Sequence, residues 1–170
     1  MKLLILNGSS CSGKSIVAKN IMKWKENYFH LSYDSIKWQF SQYSHGGKYY
    51  EDIHKVMHSI LGVVCELKYN VITEALHKIS RQKLIDIATL HGYEILEINL
   101  EADYEVLSKR FDERVASALA NPESRISNLS KERFKELFEI YQREKNPSAI
   151  TFRTDTPNME EVSESVVKLL

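Results

Sequence analysis

At 170 residues the chain is sized for one core, and we read 1–170 as a single domain. Its 23 basic and 23 acidic residues cancel, which excludes a global field able to hold an extended nucleic acid or an anionic membrane; any anion must be bound locally. Two cysteines, Cys11 and Cys65, are too few for a disulfide framework, and no apolar run reaches the ~20 residues of a bilayer span, so the chain is expected in a reducing cytoplasm.

Lys2 to Asn7 is a short apolar run stopped by Gly and Ser, the pattern of a strand buried on both faces rather than of a leader. A helix is expected from Gly13 to about Lys25, with Ile16, Val17, Ile21 and Trp24 on its inner face. Tyr28 to Ser32 reads as a second strand, closed by Tyr33 and Asp34 and followed by a helical piece with Ile36 and Phe40. Ser41 to Lys48, with His45 and Gly46-Gly47, is the least regular stretch of this half and a candidate mobile loop. Glu51 to Lys68 carries Ile53, Val56, Met57, Ile60, Val64 and Leu67 at helical spacing, and Asn70 to Thr73 reads as a third strand ending at Glu74. Ser80 to Leu90 is a helix, Tyr93 to Leu100 a fourth strand, and Asp103 to Ala120 a long helix broken at Asn121-Pro122, since the residue before proline avoids helical geometry. Lys131 to Lys145, Ala149 to Arg153 and Met159 to Leu170 follow as helix, fifth strand and helix. Strands alternating with helices imply an α/β fold, a parallel sheet wrapped on both faces.

Gly8-Ser9-Ser10-Cys11-Ser12-Gly13-Lys14-Ser15 fits G-x-x-x-x-G-K-S with a strand before it and a helix after it. The glycines let the backbone curl so that successive N–H groups point inward, and the positive end of the following helix, through Ile16, adds to the attraction for phosphate. In such a loop Lys14 reaches the β and γ phosphates of ATP and the Ser15 hydroxyl binds Mg²⁺. No second glycine is spaced for a dinucleotide fold.

Ile5 to Ser15 together with Leu31-Ser32-Tyr33-Asp34-Ser35-Ile36 resembles the chloramphenicol phosphotransferase-like kinases, small P-loop kinases grouped with zeta toxins, gluconate kinases and shikimate kinases. The resemblance implies a P-loop NTPase fold of the nucleoside and shikimate kinase type, with a five-stranded parallel sheet, helices on both faces and a helical lid at about 108–130. It implies an ATP site at the loop and a carboxylate after the second strand, matched here by Asp34, that activates the acceptor hydroxyl. The lid departs from the antibiotic kinase, lacking an Arg-Gly-Asp-Arg stretch.

Read from the residues alone, Asp34 lies where open α/β sheets place their chemistry, at the end of a strand expected beside the loop strand. A carboxylate there accepts a substrate proton or, alternatively, caps the next helix. Trp38, one turn on, either walls the acceptor pocket or joins the core. Glu74 is a candidate to hold a Mg²⁺-bound water or to contact the acceptor. Arg110 and Arg114 lie four apart, where like charges repel; Arg110 has Glu113 at i+3, but Arg114 has no acid at i±3 or i±4, and an anion is its simplest partner. By resemblance these are lid arginines that stack on adenine and neutralise the transferred phosphate, with Arg125 a further candidate. Thr154, in Thr154-Asp155-Thr156, holds the position where related kinases bind adenine through backbone. His54 and His58 could share a metal but lack a third ligand, so a packed or exposed pair is preferred. Cys11, before a helix and near Lys14, is expected either as a thiol of lowered pKa or as a small residue turned inward.

The function expected is ATP-dependent transfer of the γ-phosphate to a hydroxyl of a small molecule, with ATP and Mg²⁺ as cofactors. Its alternatives are a nucleotide or polynucleotide kinase, and a switch that binds ATP without turnover.

Overall fold

The computed structural model describes residues 1–43, 49–75, 77–121, 130–155 and 158–170. In β1 (Lys2–Asn7), Leu3, Leu4, Ile5 and Leu6 are all fully buried, because helices cover both faces of the strand. α1 (Lys14–Trp24) follows, then β2 (Tyr28–Leu31), the single turn and a half of α2 (Tyr33–Lys37) and α3 (Tyr50–Glu66). β3 (Asn70–Ala75), α4 (Lys78–Leu90), β4 (Glu94–Glu101) and α5 (Tyr104–Leu119) alternate as the sequence implies, and α6 (Lys131–Glu144), β5 (Ile150–Arg153) and α7 (Met159–Val167) close the chain. Ser130 sets the start of α6 by accepting a hydrogen bond from the Arg133 N–H at 3.1 Å.

All five strands are parallel, in the order β2-β3-β1-β4-β5. The second strand is therefore not beside β1, as the sequence reading expected. β3 takes that place, with Leu6 opposite Glu74 and Asn7 opposite Ala75. The reason is burial: Val71 and Ile72 of β3 point to opposite faces and both are fully buried, which suits an inner strand, whereas Phe29 of β2 is 37 % exposed, which only an edge permits.

Two cores flank the sheet. Leu3, Ile5, Leu31 and Val71 pack with Met57, Leu61, Leu84 and Tyr93 beneath α3 and α4. Leu4, Leu6, Ile72, Ile98 and Leu100 pack with Val17, Ile21 and Val166 beneath α1 and α7. The inner face of α1 is Val17, Ala18 and Ile21; Ile16 and Trp24 point outward, and on α3 Val56 is exposed, as is Leu67 just past its end, while Leu61 and Cys65 are buried. In both helices the expected stripe is rotated by about one residue, because the sheet beneath selects a narrower face than the full set of apolar positions offers. A third cluster joins α5 to α6 through Leu107, Phe111 and Phe134, and Cys11 packs against it.

Candidate functional site

Parallel strands bring the ends of β1, β2, β3 and β5 to one edge, and the loop motif hangs from β1 there. A Cβ on Gly8 would collide with the Ser12 hydroxyl and come within 2.8 Å of the Leu100 carbonyl, so only glycine passes. Gly13 adopts φ +97°, and a Cβ there would run into the Met159 side chain of α7. Between them Cys11 also takes a positive φ, 65°, completing the curl of residues 8–15. The Lys14 ammonium turns back into this curl and donates to the carbonyls of Gly8 and Ser9, each at 2.8 Å. Burial pushes its pKa below the ordinary lysine value, and the carboxylates of Glu74 and Asp34 act in the opposite sense. Lys14 is thus the point on which both sequence-predicted carboxylates converge.

Glu74 reaches this point because alternation along β3 puts it on the same face as Ile72, above which α1 begins. The Ser15 hydroxyl lies 3.1 and 3.3 Å from its two carboxylate oxygens. Burial alone would raise the Glu74 pKa, but His30, Lys14 and Ser15 outweigh it and hold the carboxyl below its ordinary value. His30 carries no motif or spacing that singles it out in the sequence, yet its Nε2 lies 3.5 Å from Glu74 Oε1. Only the adjacency of β2 and β3 brings them together.

Asp34 lies within the first turn of α2, and Ser32, not Asp34, is the N-cap residue; no side chain caps that end. The pure capping alternative is thereby removed. Asp34 Oδ1 instead accepts from Lys37 Nζ at 2.5 Å, one turn on. The Asp34 side chain is 64 % exposed, but that of Lys37 is only 5 % exposed. The Lys37 ammonium lies over the Trp38 ring at 5.1 Å and the Tyr43 ring at 5.8 Å. The i+3 spacing of Asp34 and Lys37 was a legible signal for this pair.

The predicted lid arginines point to the same edge. Arg110 Nη2 donates to the Thr154 carbonyl rather than pairing with Glu113. Thr154 is itself fully buried, and its N–H and hydroxyl both donate to the Glu101 carbonyl. Arg114 has no carboxylate partner among the described residues and hydrogen-bonds the Cys11 thiol in the loop. The expectation of a lowered Cys11 pKa is overturned: burial against α5 and α6 raises it, outweighing Arg114, Lys14 and Arg110. Arg125, Thr156 and residues 44–48 of the candidate mobile loop lie outside the described residues, as do residues 122–129 of the predicted lid. His54 packs edge-on against Tyr50, at 4.5 Å, and at a tilt against Tyr33, at 5.2 Å, and among the described residues its histidine ring contact is His58 at 6.0 Å. Burial first, and then His58, His77 and Lys83, lower its pKa to about 4.

The profile of a family described as AAA domain matches residues 3–143, well over half of the chain. No curated protein matches. Among solved structures, a chain of the Pnkp1/Rnl/Hen1 RNA repair complex is 24 % identical with a TM-score of 0.69, the match covering 84 % of this chain but 44 % of that one. This protein therefore spans less than half the length of that relative. The Mycobacterium tuberculosis APS kinase CysC, solved with AMPPNP and APS, is 18 % identical over 99 % of this chain and 96 % of its own, TM-score 0.66. A sugar kinase from Janibacter is 12 % identical over 99 % and 93 %, TM-score 0.65. These likenesses establish the α/β fold of P-loop NTPases of the kinase type. Among the described residues, no helix is long and apolar enough to cross a membrane.

Proposed function

The chain belongs to the AAA domain family, and we propose that within it the protein is a kinase that binds ATP with Mg²⁺ and transfers the γ-phosphate to a hydroxyl of a small molecule. The observation that carries this reading is the convergence on Lys14: a buried ammonium inside a phosphate loop, with Glu74 beside Ser15 and Asp34 acting on it from the next element. A loop that only bound nucleotide would need neither Asp34 nor Arg110 and Arg114, which border it.

In this reading residues 8–16 cradle the phosphates through their N–H groups, and Lys14 exchanges its two carbonyl partners for phosphate oxygens. The Ser15 hydroxyl and the ionised Glu74 form a set of hard oxygen donors suited to Mg²⁺, Glu74 directly or through a water. The metal, when bound, neutralises charge on the β and γ phosphates. Asp34 accepts or orients the acceptor's hydroxyl proton, and Lys37 is a positioning residue that fixes one carboxylate oxygen so that the other faces the acceptor. Arg110, Arg114 and Arg125 belong to a lid over about 108–130, where Arg114 leaves the Cys11 thiol for the transferred phosphate, and Arg110 with Thr154 borders the adenine. The whole of 1–170 acts as one domain, of the chloramphenicol phosphotransferase-like type. Free Cys11 and Cys65 agree with a reducing cytoplasm.

A second reading, in which the acceptor is a nucleic-acid end, is favoured by the similarity to the RNA repair chain. The balanced charge argues against an extended nucleic acid. A panel of hydroxyl-bearing metabolites, nucleosides and antibiotics, extended by a 5′-hydroxyl oligonucleotide, separates the two acceptor classes when incubated with Mg·ATP. Lys14→Ala tests what they share: it should abolish transfer and weaken Mg·ATP binding by calorimetry, and unchanged affinity with surviving turnover would end the kinase reading.

A further inference from the structure

Among the described residues seven buried side-chain atoms have no hydrogen-bond partner, and four of them, Asn7 Oδ1, Thr73 Oγ1, Arg81 Nη1 and Asn99 Oδ1, belong to β1, β3, α4 and β4. Their residues are 1, 0, 6 and 2 % exposed. Alternation places the three strand residues on one face, because Asn7 follows Leu3 and Ile5 on the face covered by α3 and α4, Thr73 lies between Val71 and Ala75 and opposite Ile5, and Asn99 follows Ile95. Asn7 and Asn99 are direct neighbours across β1 and β4. Arg81 comes down onto the same face from α4 and meets Glu97 at 3.2 Å.

None of these side chains is free to turn away, except for the Thr73 hydroxyl. Asn7 Nδ2 donates to Glu97 Oε2 at 3.3 Å, Arg81 Nη2 to the Glu144 carbonyl at 3.0 Å and Asn99 Nδ2 to the Asn146 carbonyl at 2.8 Å, while Asn146 Nδ2 holds the other Glu97 oxygen at 2.9 Å. In Asn7, Arg81 and Asn99 the unpartnered atom therefore belongs to a side chain anchored through another of its polar atoms. Left unpaired, the four would each carry a full desolvation penalty, a large share of the margin by which a domain of this size is stable.

The chemistry of the set selects what completes it. Two amide oxygens accept, the guanidinium donates and the hydroxyl does either, while the charges of Arg81 and Glu97 cancel. An anion would face two amide oxygens and a cation would face a guanidinium. A small uncharged group that both donates and accepts satisfies all four. We infer that Asn7, Thr73, Arg81 and Asn99 enclose a resident water cluster under the end of α6. Because Asn7 directly precedes Gly8, the cluster holds the strand end from which the phosphate loop springs.

Thr73→Val tests this without changing the shape of the side chain. A hydroxyl bonded to resident water loses a partner on substitution, and the melting temperature should fall by about 2–4 °C. A hydroxyl in a dry, unsatisfied site would be better replaced by a methyl group, so an unchanged or raised melting temperature overturns the inference. A high-resolution crystal structure supplies the second readout: waters within hydrogen-bond distance of at least three of the four atoms are expected. Direct pairing of Arg81 Nη1 with Asn7 Oδ1, with no water present, would equally overturn it.

Discussion

Asp34→Asn should do two separable things, because the carboxylate stands between a buried cation and the proposed acceptor. The Lys37 side chain is 5 % exposed, and Asp34 at 2.5 Å is its carboxylate partner among the described residues. Removing one member of a buried ion pair costs about 3–5 kcal/mol. Asp34 is itself 64 % exposed, so water can approach the vacated position, and the cost here should be nearer ~1–2 kcal/mol. For a chain of this length that lowers the melting temperature by about 2–8 °C. Turnover should fall independently, by roughly 10² to 10⁴ in kcat, with Mg·ATP affinity nearly unchanged. Adding Lys37→Met separates the two effects, since the double variant has no buried ammonium left without its carboxylate. Its thermal stability should return most of the way to the wild-type value while kcat stays low. Differential scanning fluorimetry and a coupled ADP-release assay with the acceptor found by panel screening read both. Normal turnover in Asp34→Asn would refute the chemical role, and recovery of turnover in the double variant would show that the stray ammonium had caused the loss.

Arg114→Ala should slow transfer by up to about 10³ to 10⁵ and leave the stability of the nucleotide-free protein nearly unchanged, since its one described side-chain partner is the Cys11 thiol; intact kinetics with a large loss of stability would make it structural. Cys11 should alkylate slowly near neutral pH, because burial raises its pKa, and mass spectrometry showing rapid labelling of the folded protein would contradict that. His54 should give stability a pH dependence. Its folded pKa, about 4, lies below the ordinary 6.5, so the folded protein binds fewer protons between these values; the contribution is complete above about pH 6.5 and is lost as pH falls toward about 4. Partial exposure of the ring limits this to about 1 kcal/mol, and His54→Gln should flatten that part of the profile; an identical profile in the variant would exclude His54 as its source.

The phosphate loop was fully legible in the sequence because its chemistry is local. Gly8, Gly13, Lys14 and Ser15 lie within eight residues, and backbone curvature followed by a helix start is all that their arrangement requires. The alternation of strands and helices was legible for the same reason, since each element declares itself by its own period. Arg114, without an intrahelical acid, was a local anomaly that pointed to a partner elsewhere. Strand order is different in kind. It is decided by which strands can bury both faces, and that comparison between β2 and β3 puts Glu74 next to the loop, His30 behind Glu74 and Asp34 one strand further out. The Cys11 thiol shows the limit most directly: its neighbours in sequence, a helix start and Lys14, argue for a lowered pKa, but the aromatic cluster of α5 and α6, about a hundred residues away in the chain, buries it and reverses the sign. Charge effects between sequence neighbours can be read from spacing, whereas desolvation depends on everything that packs above a group, and only the folded chain determines that.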